Sequence, residues 1–261
     1  MLELDDSLPP GARLNGAGEE LAAILAAARA FWFSGRGESF VADAETGVVS
    51  SWEDAGGSAL ATPAAPNDGN GRIGDHEGRL GLQGIPGENC GLVVEKITEN
   101  ASRFSMAVIY RPPAEDSART LLTVNTGYSG GDDKTANYLF LSDGGDAFTV
   151  KDTKGALDMT QPVFGGATGA RLALVTLLGD RLALQQDQGP VQEIRGADPG
   201  MHCRADLFIG CRSHRRGLQK TLGGALVHDV IFWPDHTLLL PRSPADRAQH
   251  RALQRYVLGE Y

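Results

Sequence analysis

Most of the apolar patterning in this chain has a period of two. From Phe104 to Arg111 the residues Phe104, Met106, Val108 and Tyr110 alternate with Ser105, Ala107, Ile109 and Arg111, the pleat of a strand in a two-layer fold. Leu80-Gly81-Leu82, Gly91 to Ile97, and the pair Leu121 to Asn125 and Asn137 to Leu141 read as further strands, the last two joined by a loop over Thr126 to Ala136. Arg171 to Gln186 predicts a hairpin, because Gly179-Asp180 sits between two apolar runs and Gly-Asp is a two-residue turn signal. Ala59 to Gly74, rich in Pro, Asn and Gly, predicts a long loop. Leu222 to Trp233 is apolar at nearly every step, as in a strand covered on both faces. Pro234 stops it.

Two segments carry helical spacing instead. Leu21, Ile24, Leu25 and Ala28 fall at i, i+3, i+4 and i+7, one face of a helix over Glu19 to Ala30. That stripe packs either on its own domain or on a neighbouring subunit, as an assembly element. A second helix begins at Ser243-Pro244-Ala245-Asp246: a capping serine, a proline at the first position and an acid at the positive end of the dipole. Leu253, Tyr256 and Val257 give it one apolar stripe.

The chain's ending resembles the close of the laminin-G-like members of the concanavalin A-like lectin/glucanase superfamily. In that resemblance Asp229-Val230-Ile231-Phe232-Trp233 matches the final strand, and Leu253-Gln254-Arg255-Tyr256-Val257-Leu258-Gly259-Glu260-Tyr261 matches the final helix. The spacing from glycine to the acid is one residue long, which a β-bulge would absorb. Phe31-Trp32-Phe33, Trp52-Glu53-Asp54-Ala55-Gly56-Gly57 and Asp206-Leu207-Phe208-Ile209-Gly210 resemble earlier strands of the same family, with Asp43 to Gly47 as a hairpin turn. The resemblance implies an all-β, two-sheet antiparallel jelly-roll sandwich with an N-terminal helix and a short C-terminal helix. It divides the chain into an arm, residues 1–30, as a candidate attachment element, and a jelly roll, residues 31–261. The three tryptophans are read as core rather than as a ligand platform.

Composition narrows the partners. A net charge of −9 over 261 residues argues against nucleic acid, and no apolar run is long enough to insert in a membrane. Three cysteines do not make a paired disulfide framework. Glu19 to Ala30 has no basic segment before it of the kind a secretory signal carries. The expected place of synthesis is therefore the cytoplasm.

Candidate chemistry is sparse. Glycosidases need two facing carboxylates, and the family arrangement Glu-x-Asp-x-x-Glu is absent; Glu95 and Glu99 read as a loop-edge pair. The expectation is a protein that is not an enzyme. Asp132 and Asp133, with Asp143 and Asp146, stand among glycines, which fits oxygen-only calcium sites and equally fits ordinary turn chemistry. At the same rim, Tyr128, Asn137 and Tyr138, with Asp132 and Asp133, are the candidate carbohydrate-binding residues. His202, Cys203, Cys211 and His214 form a His/Cys cluster, but adjacent residues of a strand point to opposite faces, which argues against zinc. The basic run Arg212 to Arg216 is either a solvated loop tip or a contact for an acidic partner. The leading expectation is a lectin-like module of a phage or gene-transfer-like particle that adheres to host cell-surface polysaccharide, oligomeric and joined to other particle subunits. A structural decoration subunit and a glycoside hydrolase are the alternatives.

Overall fold

A computed structural model of the chain describes residues 16–64, 71–86, 88, 90–112, 119–127, 136–163, 169–212 and 223–261. In chain order the first strands are β1 (Phe31–Ser34), β2 (Phe40–Ala42), β3 (Val49–Glu53), β4 (Leu60–Pro63), β5 (Arg72–His76), β6 (Arg79–Gln83), β7 (Leu92–Thr98) and β8 (Arg103–Arg111). They continue as β9 (Arg119–Asn125), β10 (Tyr138–Asp143), β11 (Ala147–Asp152), β12 (Asp158–Pro162), β13 (Arg171–Leu178), β14 (Arg181–Gln186), β15 (Gln192–Arg195), β16 (Ala205–Ile209) and β17 (Leu226–Pro234). Helix α1 (Gly16–Ala28) precedes them and α2 (Pro244–Glu260) follows.

The strands form two antiparallel sheets. One runs β15-β14-β13-β8-β17-β6-β5, with β1 also on β17; the other runs β12-β11-β10-β9-β16-β7-β4-β3-β2. Alternate side chains from both inner faces fill the space between them, among them Phe33, Trp52, Phe104, Tyr110, Phe148 and Phe232. The expected two-sheet sandwich with a helix at each end is therefore the observed fold. The apolar run of β17 is buried almost throughout, and the β13–β14 hairpin turns at Gly179, whose φ is +57°.

A second apolar layer lies outside the eight-stranded sheet. Ala107, Ile109, Leu172, Leu174, Ile231 and Trp233 point outward from it and meet Leu21 and Leu25 of α1, Leu253 and Tyr256 of α2, and Leu238 to Leu240. The stripe Leu21, Ile24, Leu25 and Ala28 is thus occupied within its own chain: Leu21 and Leu25 are buried, and Ile24 and Ala28 pack against the same cluster. Of the two readings of that stripe, packing on its own domain is the one the structure shows. All three tryptophans are buried, as expected of core residues.

The sequence marks the helix start and the first hairpins through polar atoms. Ser243 Oγ accepts the Asp246 amide at 3.1 Å, while Asp246 accepts the Ser243 amide at 3.0 Å, a reciprocal capping box. Asp246 also takes His236 Nδ1 at 2.8 Å. Asp54, expected to match a family motif, accepts the amides of Gly56, Ser58 and Ala59, so its carboxylate shapes the β3–β4 turn. Asp43 does the same for Glu45 and Thr46 at the β2–β3 turn. The loop expected over Ala59 to Gly74 instead includes strand β4 and the start of β5. Their small and polar residues lack an apolar alternation, and pairing to β3, β7 and β6 holds them in place.

Two outcomes follow. Leu21→Ala is expected to lower unfolding stability by about 2–5 kcal/mol, read by urea denaturation; an unchanged midpoint would show that α1 is not part of the folded unit. Burial works to raise the pKa of Asp246, but its bonds from His236, Arg242 and Ser243 outweigh it and hold the carboxyl below its ordinary value. A depressed carboxylate contributes stability above its unfolded pKa and loses it as pH falls through the folded one. Asp246→Asn should therefore be less stable than the native chain near neutrality, with the gap closing in strong acid.

Candidate functional site

The site is built where one strand edge changes partner. Along one edge β17 pairs with β8 from Leu226 to Pro234. Along the other, Leu226 and Val227 pair with β6, and Asp229 to Phe232 pair with β1. The register on β8 shifts between Val227 and Asp229, so His228 is the bulged residue at that junction, where the one-residue excess in spacing predicted a bulge. Its Nδ1 lies 2.9 Å from the Leu80 carbonyl, so that nitrogen carries the proton and donates. Gly35, leaving β1, crosses the same point. A Cβ there would lie 2.1 Å from Leu80 O and 2.7 Å from His228 O, which only glycine avoids.

Asp229 follows directly. Its carboxylate is buried and accepts Trp32 Nε1 at 2.8 Å, Tyr256 OH at 3.0 Å and the hydroxyl of Tyr261. Burial, then the charge of Asp229, drives both tyrosine pKa values far up, so both phenols stay protonated as donors. The family-like acid of the last strand and the two tyrosines of the last helix are therefore partners in one cluster.

Beside this cluster opens a cleft of about 740 Å³, between the first turn of α1, the end of α2 and the β5–β6 hairpin. That hairpin turns on Glu77 and Gly78, with φ of +55° and +80°, the pattern of a two-residue primed turn. It places Arg79 against Glu260 at 2.7 Å and over the Tyr261 ring at 4.3 Å. Arg36, Arg111 and Ser34 also line the cleft. Periodicity did not single out this site, since its residues come from separate elements along the whole chain. The hint in the sequence was the Asp229 strand and the Tyr-bearing helix meeting in one family pattern.

The residues predicted from sequence are scattered. Tyr128, Asp132 and Asp133 lie outside the described residues, as does His214. Asn137 is half-buried, its side-chain amide donating to Gly200 O at 3.0 Å. Tyr138 is half-buried on the outer face of β10 and, with Phe140, Ser142, Thr149 and Lys151, lines a furrow of about 400 Å³. The Arg212 guanidinium stacks 3.7 Å over the Phe140 ring there, so the described end of the basic run is packed on the sheet. Asp143 departs from the rim-loop reading. It is buried, and its carboxylate accepts from Tyr110 OH, from Arg171 Nη1 at 3.1 Å and from the Gly145 amide at 2.7 Å. Oxygens so engaged are not offered to calcium. Asp146 is exposed in the β10–β11 turn. Among the described residues no group of three His, Cys, Asp or Glu side chains converges as a metal site. Cys211 is buried while Cys203 is exposed, and His202 pairs with Asp198 at 2.9 Å. Glu95 is exposed, and Glu99 pairs with Arg204 at 2.8 Å.

No protein-family model and no curated protein matches this chain. Solved structures do match in fold. A Trypanosoma rangeli sialidase in complex with a difluoro-KDN ligand aligns over 88% of this chain with a TM-score of 0.54 and 13% identity. A mutant α-L-arabinofuranosidase of family GH54, soaked with a 4-nitrophenyl arabinofuranoside, aligns over 82% with a TM-score of 0.51 and 13% identity. Domains LG4-5 of the mouse laminin α1 chain align over 55% with 12% identity and a TM-score of 0.41, covering 39% of that chain. This chain spans about a third of the sialidase's length and about half of the arabinofuranosidase's. The expectation that the chain is not an enzyme is corrected by these matches. Both long alignments are to glycan-cleaving proteins, so the missing Glu-x-Asp-x-x-Glu pattern does not exclude catalysis.

Gly35→Ala tests the junction. The added methyl meets two carbonyls, so a loss of about 1–3 kcal/mol is expected in the same denaturation measurement. A neutral substitution would mean that β1 and β6 do not meet at this point.

Proposed function

We propose that this sandwich binds polysaccharide across the outer face of its nine-stranded sheet. The observation that carries the reading is the difference between the two outer faces. Helices α1 and α2 close that of the eight-stranded sheet. On the other, Ala64, Val93, Phe208 and Cys211 form a buried cluster toward β7 and β16, while among the described residues the β10–β11 furrow stays open. There the Tyr138 ring adjoins the hydroxyls of Ser142, Thr149 and Thr153 and the ammonium of Lys151. A sugar ring has an apolar face and a rim of hydroxyls, so it suits an aromatic ring flanked by short polar side chains. The likeness in fold to a sialidase and an arabinofuranosidase supports a sugar ligand.

The setting is part of the same proposal: a spike or fibre component of a phage-like particle, held among other particle subunits and adhering to host cell-surface polysaccharide. Capsid and tail genes adjoining this gene would support the setting, and a neighbourhood of unrelated metabolic genes would count against it.

A glycan array with purified protein, run with and without calcium and followed by assay of the bound glycans for cleavage, tests the function. Tyr138→Ala is expected to weaken the best array ligand about tenfold, ~1.4 kcal/mol, at an unchanged melting temperature. Unaltered affinity in that variant would move the sugar site off this face.

A further inference from the structure

The cleft beside Asp229 carries polar groups that the fold does not use. His228 is 1% exposed and lines the cleft. Its Nδ1–H is given to Leu80 O, so in the neutral ring Nε2 is left as an acceptor without a partner among the described residues. The ring is neutral because burial, with Arg111 and Arg79 adding to it, pulls its pKa below the ordinary value despite the Leu80 carbonyl and Asp229. Ser34, 4% exposed, lies opposite Asp229 in the β1–β17 register and lines the same cleft. Its carbonyl takes Trp52 Nε1 and Ser39 Oγ, whereas its hydroxyl has no partner among the described residues. Neither atom is sealed inside the protein, so both are offered to the cleft, where the hydroxyls of a ligand can take them.

The walls add charge. Arg36 stands 5.4 Å from the Trp32 ring centroid and joins no ion pair among the described residues. Four carboxylates face it in the cleft. Asp229 is taken by its three donors, Glu260 by Arg79, and Glu77 is 81% exposed beside His76 at 3.8 Å. Glu19, on the exposed first turn of α1, is the acid left to oppose an incoming anion. Guanidinium groups take carboxylates with two parallel hydrogen bonds.

We propose that this cleft is a second binding site, separate from the β10–β11 furrow, for a carboxylate-bearing saccharide such as a uronic acid. Its carboxylate is held by Arg36, a hydroxyl donates to Nε2 of His228, and Ser34 Oγ bonds a second hydroxyl. The volume of about 740 Å³ holds one or two sugar rings.

Isothermal titration with oligogalacturonate and with the matching neutral galactose oligomer tests this on the full chain. The acidic oligomer is expected to bind at least about tenfold more tightly than the neutral one. Arg36→Ala and, independently, Ser34→Ala should each weaken it several-fold while Tyr138→Ala leaves it unchanged. Melting temperatures of the variants show that the fold is kept. Equal affinity for the two oligomers, no heat from either, or loss of the acidic ligand in Tyr138→Ala alone would overturn the proposal. Because Tyr138→Ala reads the furrow and Arg36→Ala the cleft, failure of one site is distinguishable from failure of the other.

Discussion

The structure depends on one buried carboxylate. Asp229 sits at the centre of a sheet, where an unpaired charge costs several kcal/mol, and it is tolerated because three donors surround it. Trp32 comes from β1, Tyr256 from α2 and Tyr261 from the residue that caps α2. Each donor adds its own apolar body: the Trp32 and Tyr256 rings meet edge to face at 5.5 Å. The cluster therefore specifies which strand lies beside β17 and where the last helix docks, two choices that apolar burial alone leaves loose.

The same constraint divides the surface. Docking α2 on the eight-stranded sheet brings α1 with it, tied by the Arg255–Glu20 pair and the shared apolar layer, and that face is closed to large ligands. Among the described residues the nine-stranded sheet keeps its β10–β11 furrow open. At the edge of the closed face, where β6 gives way to β1, the ladder is interrupted and a polar cleft remains. Both proposed binding places thus follow from how the helices are seated rather than from a metal or a catalytic motif.

Much of this was legible in the residues. The period of two in Phe104 to Tyr110, the Gly179-Asp180 turn and the Ser243-Pro244 cap each act locally, and each gave the observed element. The extra residue before Asp229 announced the bulge at His228. What stayed hidden was assembled over distance. Asp143 reads as a calcium ligand among glycines, yet Arg171 and Tyr110, far away in sequence, take its oxygens in the core. The cleft joins residues from Ser34 to Tyr261, and no spacing rule links them. Strands β4, β5 and β12 are polar or short, so their pairing partners rather than their own side chains decide their conformation.

Asp229 is the tie between β1, β17 and α2. The direct measurement is amide hydrogen exchange combined with denaturation of Asp229→Ala. A loss of about 3–5 kcal/mol is expected, with protection falling together in β1 and α2, because both lose the same acceptor. A loss under about 1 kcal/mol, or protection lost in α2 while β1 keeps its own, would contradict it.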